Sequence, residues 1–301
     1  MNKFRGTGVA LITPFKNGKV DFLALEKIIQ HTIAGGVDFI VSLGTTGEDA
    51  TLTESESIEV LQFTIKINNG RVPIVAGNFG GNNTAALVGK IEGFDFTGID
   101  AIMSSSPAYI KPNQEGIYQH YMALAAASPV PIIIYNVPGR TSSNVTAATI
   151  VRLANASKKF VAVKDASGSI EQGTKIIKDK PSHFLFLSGD DENALALVGC
   201  GSDGVISVIA NSHPEEYATM IRSSLIGDYK TAQAINHLLL DVHHYLYVEG
   251  NPVGIKAAME ILGFCKCDVR LPLAPMSADN YKGLEKELQL AQNTILVKAS
   301  S

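Results

Sequence analysis

Short apolar, largely β-branched runs recur along the chain, and each is followed by a longer stretch in which apolar residues return at helical spacing. The runs fall at residues 9–12, 39–43, 72–76, 101–103, 131–135, 160–164, 184–187 and 204–208. They are continuously hydrophobic rather than alternating, as strands covered on both faces must be. Eight such units at spacings of roughly 20–35 residues predict a parallel α/β architecture, the (β/α)8 TIM barrel. An open doubly wound sheet would give the same alternation. It would also call for a dinucleotide fingerprint after the first strand, and Gly77 to Gly81 does not supply one. Beyond Pro214 the pattern is helical only, with segments at 215–225, 229–247, 254–262 and 277–299. The expected organisation is a barrel over residues 1–225 and a C-terminal helical layer over 226–301, with no linker between them.

Nearly every apolar run ends in a polar or glycine-rich turn, and in a barrel these turns gather at the catalytic rim. Lys164 ends the run Phe160-Val161-Ala162-Val163, so its amine is expected in a partly desolvated mouth, where burial favours the neutral, nucleophilic form. A surface lysine, or one paired with Asp165, is the ordinary alternative. Tyr135 ends the preceding strand at the same height, within reach of Lys164 for proton transfer. Gly44-Thr45-Thr46-Gly47-Glu48 follows the second strand. Its glycines suit a tight turn, and backbone N–H groups at the start of the next helix suit a carboxylate-sized anion. Arg140, just beyond Tyr135, suits bidentate capture of a second carboxylate, or a surface salt bridge. Tyr109, after the fourth strand, is ambiguous from pattern alone.

Other motifs read as structural. Cys265-Lys266-Cys267 lacks the spacing and the second cluster of a zinc site. Asp190-Asp191-Glu192 fits the acidic start of a helix, and His243-His244 lies in an amphipathic helix where packing or solvent is the natural role. Gly201-Ser202-Asp203-Gly204 lies where barrels bind phosphate and keeps a pyridoxal-phosphate enzyme in view.

Composition narrows the class. With 301 residues, 46% hydrophobic and 18% charged, the chain can bury a sizeable core. A net charge of −4 gives no case for nucleic acid or an anionic membrane surface. No apolar run approaches the ~20 residues of a membrane span, and the apolar patch before Pro14 is too short for a secretory signal. Three cysteines leave an odd count, so no disulfide framework is expected and a reducing cytoplasm is the natural compartment.

Taken together, the Gly44–Glu48 turn, Tyr135-Asn136-Val137-Pro138-Gly139-Arg140-Thr141 and Val163-Lys164-Asp165-Ala166-Ser167-Gly168 resemble the dihydrodipicolinate synthase/N-acetylneuraminate lyase family. Ser188-Gly189-Asp190-Asp191, Gly204-Val205-Ile206-Ser207 and Asn251-Pro252-Val253-Gly254-Ile255-Lys256 extend the resemblance over nearly the whole chain. The double threonine and Arg140 resemble the synthase branch, which condenses pyruvate with L-aspartate 4-semialdehyde at the entry of the diaminopimelate route to lysine. The resemblance implies that Lys164 forms the Schiff base and that Tyr135, Thr45 and Tyr109 form a proton relay, Tyr109 coming from a neighbouring subunit. Thr46 would hold the pyruvate carboxylate and Arg140 that of the semialdehyde, with the Gly189 and Ile206 backbones lining the pocket. It further implies no metal or organic cofactor and a homotetramer built as a dimer of dimers. Lysine-inhibited relatives carry histidines after the turn and a tyrosine before the relay tyrosine; here Asp49, Glu54, Ser57 and Ala108 stand there, so weak or absent feedback by lysine is expected. A sister aldolase acting on a keto-acid sugar, and a pyruvate-binding regulator without catalysis, are the rival functions.

Overall fold

The computed structural model describes residues 3–299. Its strands are β1 (Gly6–Ala10), β2 (Phe15–Lys16), β3 (Lys19–Val20), β4 (Phe39–Ser42), β5 (Ile74–Ala76), β6 (Ala101–Ser105), β7 (Ile132–Asn136), β8 (Phe160–Asp165), β9 (Leu185–Ser188) and β10 (Gly204–Ser207). The α-helices are α1 (Phe22–Ala34), α2 (Glu54–Asn68), α3 (Thr84–Glu92), α4 (Gln114–Ala127), α5 (Pro138–Thr141), α6 (Ala147–Ala156), α7 (Ile170–Asp179), α8 (Asp191–Gly199), α9 (Pro214–Leu225), α10 (Tyr229–Tyr247), α11 (Val253–Ile261) and α12 (Ala278–Ala299). Eight strands close a parallel barrel in the order β1-β10-β9-β8-β7-β6-β5-β4, while β2 and β3 form a separate hairpin. Ile132, Ile133 and Ile134 are all fully buried, as a strand covered on both faces requires.

Compactness divides the chain into two units. The first comprises Met1–Gly8, Asp38–Val41 and Val72–Ser207; it holds nearly all of the barrel strands, with α3 to α8. The second comprises Val9–Val37, Ser42–Arg71 and Val208–Ser301; it holds the hairpin, α1, α2 and α9 to α12.

The first strand lies three residues earlier than its apolar run suggests, beginning at Gly6. Its glycines have little strand propensity, yet the barrel requires them. A Cβ at Gly8 would fall 2.3 Å from the Phe39 ring, and one at Gly204 would fall 2.0 Å from the Gly6 carbonyl oxygen. Backbone bonds from Gly6 N to Asp203 O (3.0 Å) and from Asp38 N to Thr7 O (2.7 Å) anchor both edges of β1. The β2–β3 hairpin lies outside the eight apolar runs. Its two-residue strands are too short to give a period, and they leave only Asn17 and Gly18, both at positive φ, as a signal.

The C-terminal helices lie within a residue of their predicted positions. Their ends are set by ordinary chemistry. Asp228 caps α10 by accepting from Thr231 N at 3.1 Å, and Pro214 opens α9 at a position where its missing N–H costs nothing. Thr53 and Glu56 make a reciprocal capping box on α2.

Candidate active site

Alternation along β7 and β8 assigns opposite tasks to neighbouring residues. Tyr135 pairs in register with Lys164, and Asn136 with Asp165. Asn136 Nδ2 donates to Asp165 Oδ1 at 2.7 Å and to Asn144 Oδ1 at 2.9 Å, Asn144 bonds Gln172 of α7, and Ser167 Oγ donates to Asp165 Oδ2 at 2.9 Å. That face is therefore the helix side, where burial pushes the Asp165 carboxyl above its ordinary value. Lys164 and Tyr135 accordingly point to the barrel interior. Lys164 is 5% exposed and its Nζ lies 4.4 Å from the centre of the Tyr135 ring. Neither ordinary alternative for Lys164 holds, because it is buried and Asp165 is engaged on the opposite face.

Gly189 shares this inner face, two residues beyond the Lys164–Leu187 register pair. A Cβ there would stand 2.8 Å from the Ala166 Cβ and 3.1 Å from the Lys164 Cγ. The absent side chain is what leaves the lysine stem its space. Ile206 follows the Val205–Ser188 pair on β10 and is 1% exposed. The structure thus brings Lys164, Tyr135 and Gly189 together within the first unit.

Two further predicted residues lie outside the strands of the same unit. Arg140 is exposed on α5, whose start at Pro138 follows β7 directly. The segment carrying it is pinned from behind: Val145 N donates to Asn136 Oδ1 at 2.9 Å, and Gln114 accepts from Thr146 N at 3.0 Å. Tyr109 is 88% exposed with φ 68°, in the left-handed region, and its N–H donates to Thr141 O at 3.0 Å. An aromatic ring held outward on a fixed, strained backbone is an uncommon use of apolar surface.

In the second unit, the residues after β4 form a 3₁₀ turn, Thr45–Gly47, and then another, Asp49–Thr51, before α2 begins at Glu54. The helix that follows the Gly44–Glu48 turn is therefore a 3₁₀ turn and not an α-helix. The left-handed positions fall on Leu43 (φ 60°) and Glu48 (φ 54°), and not on the glycines. Gly47 is needed for space, since a Cβ would come 3.1 Å from Leu11 O. Thr46 is buried and its Oγ1 accepts from Asn251 Nδ2 at 2.9 Å; Thr45 is half-buried. Glu48 pairs with the buried Lys256 and accepts from Arg270 N at 3.1 Å. Asn251, Lys256 and Arg270 were given no role by sequence reasoning. Their partners lie up to 222 positions away along the chain, beyond any local pattern.

The remaining motifs have structural roles. Asp190 caps α8 by accepting from Glu192 N at 3.1 Å. His243 packs edge-on against Tyr217 at 6.1 Å. Cys265 and Cys267 are unbridged thiols, pushed by burial to about 12 and about 11. Gly204 serves barrel closure, as described. Among the described residues no helix is long and apolar enough to cross a membrane.

Comparison with known proteins places the whole arrangement. The profile of the dihydrodipicolinate synthetase family matches residues 3–291. A 4-hydroxy-tetrahydrodipicolinate synthase from Azobacteroides pseudotrichonymphae is 47% identical over 285 residues, 94% of this chain and 96% of the relative. Its counterpart from Parabacteroides distasonis is 46% identical over 286 residues, covering 95% and 96%. The crystal structure of dihydrodipicolinate synthase from Thermotoga maritima superposes with a TM-score of 0.94 at 33% identity, covering 97% of this chain and 99% of that one. A dihydrodipicolinate synthase variant described as the first monomeric one gives 0.94 at 33% identity, covering 96% and 97%.

Proposed function

The chain belongs to the dihydrodipicolinate synthetase family, and from that premise we propose how its residues divide the work of condensing pyruvate with L-aspartate 4-semialdehyde. The activity is that of a Schiff-base, aldolase-type lyase in the diaminopimelate route to lysine. The observation that carries the reading is a lysine buried at the end of β8, its Nζ over the Tyr135 ring and its stem given room by Gly189.

In this proposal Lys164 Nζ attacks the C2 carbonyl of pyruvate, and the carbinolamine loses water to give an imine. Loss of a methyl proton then yields an enamine, whose carbon attacks the semialdehyde carbonyl. The amino group of the semialdehyde attacks the imine carbon, and as the ring closes Lys164 leaves as a free amine. Tyr135 exchanges protons at the carbinolamine and imine stages, with Thr45 and Tyr109 completing the relay. Thr46 binds the pyruvate carboxylate, Arg140 that of the semialdehyde, and the backbones at Gly189 and Ile206 line the pocket.

The outward Tyr109 supports its role in a neighbouring subunit, and hence at least a dimer. The tetramer of two such dimers and a cytoplasmic location complete the proposal. Ser57 Oγ donates to Asp49 Oδ1 at 3.1 Å, so two of the positions named for lysine feedback bind each other, which supports weak feedback.

Mass spectrometry after borohydride reduction in the presence of pyruvate tests the central claim. A pyruvyl adduct on Lys164, absent from Lys164→Ala, is expected. Folded, active protein without an adduct would remove the Schiff base from the mechanism.

A further inference from the structure

We propose that Asn251 is a positioning residue that fixes the direction in which Thr46 offers its hydroxyl proton. The proposal rests on the reading of Thr46 as the ligand of the pyruvate carboxylate.

A threonine hydroxyl has one proton to donate and two lone pairs that accept. A carboxylate offers only acceptors, so Thr46 binds it only when its proton points that way. Left alone, the O–H rotates and can spend its proton on a nearby carbonyl. The buried Asn251 Nδ2 lies 2.9 Å from Thr46 Oγ1 and occupies a lone pair. An amide N–H can only donate, so the Thr46 proton is committed elsewhere. Donation into Oγ1 also polarises the O–H and strengthens the bond it makes in turn.

The segment that carries Asn251 is built to hold this turn. Asn251 stands two residues before α11, whose Lys256 reaches Glu48, two residues beyond Thr46. Lys256 Nζ also donates to Asp268 O at 2.9 Å, and Arg270 N donates to the second Glu48 oxygen at 3.1 Å. Glu48 itself adopts φ 54°, a backbone state glutamate seldom takes without support. Residues 46 and 48 are thus gripped by 251, 256 and 270. The grip fixes a backbone shape, and the Asn251 bond sets one proton within it.

The test is a double-mutant cycle on the full chain: Thr46→Val, Asn251→Ala and the pair, read as the pyruvate dependence of turnover and of borohydride trapping. Thr46→Val is expected to raise the half-saturating pyruvate concentration about tenfold or more, and Asn251→Ala about tenfold, both with a much smaller change in kcat. The double variant should be no worse than Thr46→Val alone, because Asn251 acts only through that hydroxyl. If the two effects multiply, Asn251 is not positioning Thr46, while the role of Thr46 stands. If Thr46→Val leaves pyruvate dependence unchanged, the carboxylate reading falls first and the proposal with it. Asn251→Asp, of the same shape but able only to accept, covers the case in which the alanine variant fails to fold. It should reverse the bond and weaken pyruvate binding in the Thr46 background but not in Thr46→Val. Equal weakening in both backgrounds overturns the proposal.

Discussion

Deleting the Lys256 amine while leaving Glu48 in place should unfold the second unit far more readily than deleting both charges. Lys256 has no exposed surface, and its Nζ sits against Glu48, 2.9 Å from Asp268 O and 3.9 Å from the centre of the Phe15 ring. Burial holds the lysine below its ordinary pKa, with the Glu48 carboxylate pulling the other way and losing. Taking both charges out of water costs about as much as their attraction returns, so a pair buried in this way adds little net stability. Lys256→Met keeps most of the stem and its packing but strands a buried carboxylate, which costs about 3–5 kcal/mol. At about 2–4 °C per kcal/mol, the melting temperature should fall by about 6–20 °C. Glu48→Gln combined with Lys256→Met removes both charges, keeps an oxygen to accept from Arg270 N, and should lie within about 1–2 kcal/mol of the wild type. Thermal and urea unfolding followed by circular dichroism at neutral pH make the comparison. A double variant as unstable as the single one would refute the reasoning, because the loss would then come from packing and not from an isolated charge. The stable double variant should still bind pyruvate more weakly, since position 48 has lost its tie to residue 256.

Three further outcomes are expected. Gly189→Val drives a side chain into the Lys164 stem and should cut borohydride-trappable adduct about 100-fold, with Gly189→Ala intermediate; normal trapping in the valine variant would mean that the stem has room to spare. Arg270 bonds both oxygens of Glu56, at 2.8 and 2.6 Å, and holds that carboxyl at about 2, from 4.5. A depressed carboxylate stabilises the fold above its unfolded value and loses that contribution as pH falls through the folded one. The stability gap between wild type and Glu56→Gln should therefore be about 1–2 kcal/mol at pH 7, after allowing for solvent screening, and close as pH drops from about 4.5 towards 2; a gap independent of pH would discount the ion pair. Lysine titrated against initial rate should leave activity nearly unchanged at sub-millimolar concentration, and strong inhibition there would overturn the reading of Asp49, Glu54, Ser57 and Ala108.

The parts of the site legible in the sequence are those that a strand organises. Lys164 and Tyr135 close apolar runs, and equal height on adjacent strands puts them in register. The same alternation carried one residue further would have placed Asn136 and Asp165 together on the helix side, so that network was readable and was missed. Other features were not readable in any local window. The glycines of β1 are there for neighbours such as Phe39, which only the closed barrel brings near. The left-handed states of Leu43 and Glu48 go against residue preference, and Glu48 keeps its state through contacts with residues more than 200 positions away. Asn251 stands in a segment that carries the family resemblance, but no local pattern gives it a task until its amide is seen on Thr46.

These two kinds of legibility reflect two ways of holding a side chain still. On β8 the backbone ladder to β7 and β9 sets where Lys164 begins, and the site adds only a neighbouring ring and a missing Cβ. The turn that carries Thr45 and Thr46 has no ladder, only the short 3₁₀ bonds from Gly47 N to Gly44 O and from Glu48 N to Thr45 O. Its geometry comes instead from charged and amide groups sent from residues 251 to 270, in a buried setting where each partner lost is costly. The consequences for function should separate in the same way. Changes beside Lys164 should act on how fast the adduct forms, whereas changes in the distant C-terminal segment should act on how tightly pyruvate is held. A scan in which substitutions at 251, 256 and 270 altered adduct formation at saturating pyruvate, and left its pyruvate dependence untouched, would contradict that division.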